Sequence, residues 1–330
     1  MKSPFIVAIV VAFASISAIS SSAQQISSDV AISGAMLNDG YQFAACDDDG
    51  QFYRRPTSPR PWIQPTSLIR MAKDGSTLLF TLPKPEWAIE ALAPTATGVA
   101  VLTDAQDAAE RGSMHMYRFD RQGTIQTERT VAFDFQPVAM AETKSGMTIV
   151  VGYRERMVVD KAVKTYGGAV LNASDRVVQL FEFPPTTDGK KWTTAASHRM
   201  AGGNNSVSVI LESGDDPIYS IASISESGEV RILPLATVRG ARFHDWFFGN
   251  GVAAEEYQFA SDKPMPPIKI DAFDLISGRK ISTKTLPIVG FGIACYLGDE
   301  VSNLATSVSV AKSRGIPADA LRLVTVKLLD

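Results

Sequence analysis

The chain has 330 residues, 45% of them hydrophobic and 20% charged, which excludes a disordered or fibrous protein and supplies ample material for a buried core. Its 32 lysines and arginines stand against 35 aspartates and glutamates with no basic block, so no nucleic-acid partner is expected, because a duplex needs a clustered cationic surface to displace its counterions. Two cysteines are too few for a four-thiolate zinc module.

Residues 1–23 read as a secretory signal peptide. Lys2 precedes an apolar run from Phe5 to Ile19, and Ser21-Ser22-Ala23 then offers small residues for cleavage before Gln24. The run is shorter than the ~20 apolar residues a spanning helix needs. No later stretch is long and apolar enough to be a transmembrane segment. The expected organisation is a signal over residues 1–23 and one domain over residues 24–330, secreted or periplasmic. An oxidising compartment permits a disulfide between Cys46 and Cys295, with two separate buried thiols as the alternative.

Beyond the signal a two-part unit recurs. The first part is a small-residue strand, a glycine turn and an apolar strand, over residues 33–46, 91–103, 139–152, 196–211, 244–257 and 291–308, with turns at Gly40, Gly98, Gly146, Gly203, Gly251 and Gly298. The second part is a hairpin of two alternating runs, over residues 69–82, 116–131, 169–183, 219–235 and 270–286. Residues 116–131, MYRFDRQGTIQTERTV, show it most clearly. Aligning these hairpins on Gly75, Gly123, Asp175, Gly228 and Gly278 gives steps of 48, 52, 53 and 50 residues, a period that in an all-strand sequence marks a propeller blade. Each unit thus holds four strands, a and b followed by c and d. The sixth has only one strand after its first pair, at residues 321–329, while residues 24–30 lie ahead of the first a strand, where a d strand belongs. The reading is an all-β, six-bladed β-propeller of four-stranded antiparallel blades, its ring closed by pairing of the N-terminal strand with the C-terminal blade, which removes an open edge.

In period and strand pattern, the chain after residue 23 resembles the six-bladed propellers of the NHL and TolB-like kind found in exported bacterial proteins. The His and Trp-Asp signatures of the seven-bladed WD-repeat family are absent from the blade ends. The resemblance implies one enzymatic precedent, the lactonases and phosphotriesterases that hold a divalent ion in the channel with Glu, Asn and Asp from several blades. Here it falls on Glu142, Asp245 and Asn38, with Ala or Gly in the other blades. No cofactor is therefore expected, a divalent cation such as calcium being the alternative.

In such a fold the a-to-b and c-to-d turns share one face and the b-to-c and d-to-a connections the other. The second set is long in this sequence: residues 47–65, 104–113, 154–167, 212–217, 261–267 and 312–317. Binding and catalysis concentrate on long loops set on a rigid scaffold, so any site is expected there. Against inner strands dominated by Ala, Gly and Ser, the polar exceptions are Glu142, His198, Arg199, His244 and Asp245. Glu142, His198, His244 and Asp245 are the catalytic candidates, because a histidine beside a carboxylate suits general-base or metal chemistry; solvated channel residues are the plainer explanation. Trp62, Trp87 and Trp192 fall near the long-loop face and, with Arg199, are the binding candidates, as aromatic anchors dominate binding energy. Plugs between neighbouring blades are the competing role for the tryptophans, and Trp246 reads as core. His115 reads as a surface residue. The string at residues 249–254, GNGVAA, imitates a dinucleotide fingerprint but precedes a strand, so it is a hairpin turn. The functional expectation is a monomeric module that binds a protein, peptide or carbohydrate partner on the long-loop face. A metal-dependent hydrolase and a structural scaffold in an envelope assembly are the alternatives.

Overall fold

The computed structural model describes residues 26–32, 42–47, 50–55, 66–72, 74, 76–85, 87–104, 114–159, 161–186, 192–193, 200–213, 218–237, 241–249, 251–259, 268–285, 294–297, 300–304 and 321–327. All regular structure among them is strand. The first strand, β1 (Ile26–Ile32), is followed by β2 (Gln42–Asp47), β3 (Gly50–Arg55), β4 (Ser67–Ala72) and β5 (Thr77–Phe80), which form one antiparallel sheet. The second sheet is β6 (Ala88–Thr95), β7 (Gly98–Asp104), β8 (Met114–Asp120) and β9 (Ile125–Val131). The third is β10 (Gln136–Glu142), β11 (Thr148–Val158), β12 (Lys161–Leu171) and β13 (Val177–Glu182). In the fourth the inner position is split between β14 (Trp192–Thr193) and β15 (Met200–Gly202), both paired to β16 (Ser206–Ser213), with β17 (Ile218–Ser225) and β18 (Val230–Pro234) outside. The fifth is β19 (Ala241–Gly249), β20 (Val252–Phe259), β21 (Lys269–Asp274) and β22 (Lys280–Thr285). Finally β23 (Ala294–Leu297), β24 (Glu300–Leu304) and β25 (Leu321–Lys327) are joined by β1, which pairs antiparallel with β25. Repeated four-stranded antiparallel sheets in this order make the architecture a β-propeller.

The alternation of each strand explains how the sheets stack. On β7, Val99 and Val101 pack with Leu68 and Phe80 of the first sheet, while Ala100 and Leu102 pack with Met140 and Val150 of the third. A sheet covered on both faces needs apolar residues at every position of its middle strands, and Val99 to Leu102 are all fully buried. The outermost strand has no such demand: β9 is exposed or half-exposed along its length except at Val131. Aromatic side chains bridge the slabs, Phe80 to Phe119 at 5.5 Å and Tyr219 to Trp246 at 5.2 Å between ring centres. Trp246 is fully buried, as its sequence context implied.

Where the third and fourth sheets adjoin, spacing is set by a residue without bulk. Strand β15 runs beside β10, and a β-carbon placed on Gly202 would fall 1.6 Å from the carbonyl oxygen of Glu142. The main chain of the two sheets is also tied directly, Lys144 N donating to Gly203 O at 2.8 Å. Most c-to-d turns repeat one chemistry: the carboxylate of Asp120 accepts from Gln122 N and Thr124 N, that of Asp274 from Ser277 N, and the Asn172 amide oxygen from Ser174 N and Arg176 N. Gly123, Gly228 and Gly278 follow at positive φ, and Asp175 takes the same left-handed conformation at φ 57°.

Three expectations are corrected. The first a and b strands are β2 and β3, one strand later than a turn at Gly40 implies. The reason is Asp47, whose carboxylate accepts from Gly50 N at 2.7 Å and from Arg70 at 3.0 Å, closing a two-residue turn there. Residues 154–167 are not an irregular loop: β11 and β12 pair without interruption from Thr148↔Leu171 to Val158↔Lys161. No Pro breaks that stretch, and its charged residues are the surface of a ribbon. Trp192 does not precede the a strand but opens it, on β14 opposite Ser213.

Replacing Gly202 with Ala forces the inner strands of the third and fourth sheets apart. Gly202→Ala is expected to destabilise the fold by roughly 2 kcal/mol, read from denaturant midpoints, whereas Gly146→Ala, with nothing within 4 Å of the added carbon, meets only the backbone strain of its positive φ.

Candidate functional site

Glu142 ends β10 and belongs to an ion-pair node rather than to an open channel. Arg118, in the middle of β8, donates through Nη1 to Glu142 Oε2, through Nε and Nη2 to Asp175 Oδ1 at 3.1 and 2.7 Å, and through Nη2 to Thr148 Oγ1 at 2.9 Å. The Asp175 carboxylate is almost wholly buried, with its side chain 2% exposed. Burial pulls the guanidinium pKa down, but Asp175 and Glu142 together hold it above its ordinary value. One cation of the second sheet thus clasps the inner strand, the second strand and the outer turn of the third. The position of Asp175, which in neighbouring turns is glycine, is thereby explained: a left-handed aspartate costs about 1 kcal/mol, and its carboxylate repays that by meeting Arg118. Glu142 Oε2 is thus held by a guanidinium on the short-turn side.

His244 and Asp245 lie on β19, opposite Tyr257 and Glu256 of β20. The Asp245 carboxylate accepts from Trp246 N at 2.8 Å. Beside them, on the face turned to the fourth sheet, Trp246, Glu255 and Asp271 occupy one rung across β19, β20 and β21, and all three are fully buried. Asp271 accepts from Lys280 Nζ at 3.1 Å and from Thr283 Oγ1 at 2.6 Å. Burial first, then the charges of Asp271 and Glu255, push the Tyr257 hydroxyl up to about 12. No group of three His, Cys, Asp or Glu among the described residues is arranged to hold a metal ion. The sequence reading missed Glu255, Asp271 and Tyr257; the adjacent acids Glu255-Glu256 inside an apolar run were the available signal.

Trp87 is corrected as a binding anchor. It is 3% exposed, its ring lies 4.8 Å from that of His115, and Lys84 Nζ sits 3.9 Å above it. His115 accordingly is not a surface residue: it is sandwiched between Trp87 and Tyr117, and its Nδ1 lies 3.0 Å from Glu128 Oε1. Trp192 is half-buried, packs on the core between the third and fourth sheets, and donates from Nε1 to Pro184 O at 2.7 Å. Trp62, His198 and Arg199 lie outside the described residues, as does the side chain of His244.

The feature that stands apart on the long-loop side is the distal half of the β11–β12 ribbon. Strand β10 pairs with β11 only as far as Tyr153, and β13 pairs with β12 only to Gly167, so the ladder from Arg154↔Thr165 to Val158↔Lys161 projects as a two-stranded arm. Arg154 fixes its base, donating to both oxygens of Asp134 at 3.0 and 3.1 Å and to Glu182 at 3.2 Å. That guanidinium holds the Asp134 carboxyl below its ordinary value. Tyr153 and Tyr166 face each other across the base at 5.6 Å. Met157 and Val159 at the tip are 68% and 90% exposed. Val159 stands at φ 46°, a conformation that costs a β-branched residue on the order of 2 kcal/mol and that Asn or Gly would adopt freely.

No family model matches the chain, and no curated protein matches it. Among solved structures, a protein of unknown function from Dyadobacter fermentans DSM 18053 is similar over 92% of this chain and 99% of its own, at 9% identity and a TM-score of 0.54, a likeness of fold alone. A protein of unknown function from Bacteroides caccae is similar over 84% of this chain and 94% of its own, at 11% identity and a TM-score of 0.43. The β-propeller domain of the Trilobed protease from Pyrococcus furiosus is similar over 80% of this chain and 78% of its own, at 9% identity and a TM-score of 0.44.

Two measurements follow from these geometries. Arg118→Leu strands the Asp175 carboxylate in the interior and is expected to cost roughly 3 kcal/mol or more in chemical denaturation, with Asp175→Gly milder than Asp175→Ala because glycine accepts the turn conformation. Tyr257 keeps its proton in the folded state above the pH at which an unfolded tyrosine loses it. Its contribution to stability is therefore whole below pH about 10 and is lost as pH rises toward about 12. Ultraviolet titration of tyrosinate should show one late-ionising tyrosine, shifted back toward the ordinary value by Asp271→Asn.

Proposed function

We propose that the protein is an exported binding module that meets its partner with the face carrying the b-to-c connections. The observation that supports this reading is the arm: a rigidly based ribbon that ends in solvent-exposed Met157 and Val159, with valine in a conformation it disfavours. The first position of such a turn is normally Asn or Gly, and strain retained at the exposed Val159 is expected where the tip is used. The hydrolase alternative would have to use a Glu142 whose Oε2 already accepts from Arg118. Shortening the arm by removing residues 156–163 and rejoining the strands with Asn-Gly tests the reading. The variant should keep its melting temperature and lose retention on envelope material from the native host; equal retention of variant and parent would sink it.

In the same reading the six sheets form one closed ring of blades. Inner strands adjoin in succession, β2 beside β6, β6 beside β10, β10 beside β15, β15 beside β19, β19 beside β23 and β23 beside β2. β1 supplies the fourth strand of the last sheet. A disulfide joining the first and last blades fits that closure: Cys46 on β2 is disulfide-bonded, and the only other cysteine in the chain is Cys295, on β23. It also fits an oxidising compartment, in keeping with residues 1–23 acting as a cleaved signal. Reduction should lower stability by on the order of 4 kcal/mol, because the bridge closes most of the chain into one loop. Intact mass after alkylation should show no modified thiol before reduction and two after it.

A further inference from the structure

The distal arm presents a bare strand edge, and the residues along that edge are complementary to themselves. Phe183 N donates to Tyr166 O at 3.1 Å, so Tyr166 turns its main-chain groups toward β13. Main-chain direction alternates along a strand without bulges, and the ladder of β11 with β12 has none, so Lys164 and Ala162 turn theirs the same way. Beyond Tyr166 no described strand meets them. Pro184 and Pro185, which follow β13, have no N–H with which to continue the ladder. A row of N–H and C=O groups left open in this way is a template for another strand.

The residues along the edge select a strand identical to it. Pairing two copies antiparallel sets outward-facing residues opposite one another, so the two-fold axis passes through a single residue. An axis at Lys161 opposes two lysines. An axis at Val163, or nearer the base, carries Val159 to the level of the partner's Gly167, a place already taken by the partner's Glu182. An axis at Ala162 meets neither obstacle. Ala162 then exchanges both main-chain hydrogen bonds with the partner's Ala162. Met157, opposite Ala162 in its own ribbon and 68% exposed, completes an apolar row with the partner's Ala162 and the partner's Met157. Lys164 stands opposite Glu155 in its own ribbon and, by chain order, lines up on its other side with the partner's Asp160, so charges alternate in sign along the next row. Val159 comes level with the partner's Thr165, one residue short of Tyr166, where the partner's β13 ends. The β11 edge offers no equivalent, since Arg154 holds Asp134 beside it and axes at Glu155 or Arg156 oppose like charges.

We propose that the arm's partner is a second copy of this chain, the two β12 edges joining antiparallel about Ala162 into a four-stranded sheet. The proposal takes from the binding reading that the arm is an interface, and it names what the arm meets. So short an edge holds two chains weakly, with a Kd on the order of 100 μM.

The test is sedimentation velocity of the full chain without residues 1–23 from about 10 μM to about 1 mM, expected to show a reversible dimer. Ala162→Pro removes an N–H that the ladder with β11 does not use, so it should abolish the dimer and leave the melting temperature in place. Asp160→Lys should weaken the dimer by roughly tenfold. Oxidative cross-linking reports the register: Ala162→Cys places two thiols within disulfide reach and should cross-link at least about tenfold faster than Val163→Cys. A monomer throughout, a dimer indifferent to Ala162→Pro, or faster cross-linking by Val163→Cys overturns the proposal. If the chain stays monomeric while the arm-shortened variant loses retention on envelope material, the second copy falls and the binding reading stands. If the chain dimerises through the arm while the shortened variant is retained as well as the parent, the dimer stands and the binding reading falls. If the chain is monomeric and shortening changes nothing, both fall.

Discussion

Sheets that bury both faces around a common axis must converge at their inner ends, and that convergence constrains everything else in this fold. Gly202 approaches the main chain of Glu142 so closely that no side chain fits between them. Ala139 and Ala141 line β10 for the same reason. Behind these small inner residues, β7, β8, β16 and β17 fill the space between sheets with Val, Leu, Ile and aromatic residues, and β9 and β18 are left largely to solvent. The fifth sheet departs from this rule, its inner strand β19 burying Trp246, Phe247 and Phe248.

Polar residues inside such a fold are tolerated where they link sheets or satisfy each other. Arg118 does the first, reaching from β8 to β10, β11 and the turn at Asp175, so that a buried cation is matched by two carboxylates and a hydroxyl. Asp271 does the second, held by Lys280 and Thr283 within its own sheet while raising the proton affinity of Tyr257. Both groups carry the unusual charges that a search for catalytic residues seeks, and the partners around Arg118 give it a structural use.

The β11–β12 arm obeys a different rule. Its base is over-determined by Arg154, Asp134 and Glu182, yet its tip holds a valine in a conformation better suited to asparagine. Stability alone would not select Val159 there, since a polar turn residue relieves the strain and removes an exposed apolar group at once.

The sequence by itself determined the repeat, the strand order within each unit and most of the turns, because hydrophobic alternation and the conformational demands of a tight turn are local. It even placed Asp175 in register with four glycines, although nothing local explains an aspartate there. That explanation lies in Arg118, 57 residues earlier in the chain and adjacent only once two sheets are stacked. The same holds for Glu142, which looks like a free channel carboxylate until the Arg118 side chain reaches it from the neighbouring sheet. It also holds for Trp87, whose indole looks available until His115 and Lys84 enclose it. The arm was read as a loop because its charges broke the apolar pattern. Only the pairing of β11 with β12, a long-range hydrogen-bond ladder that charge pattern does not encode, turned those residues into a projecting ribbon. Tertiary structure decided which polar groups are spent on holding sheets together and which are left to meet something else, since that depends on neighbours brought close in space by the packing of one sheet on the next.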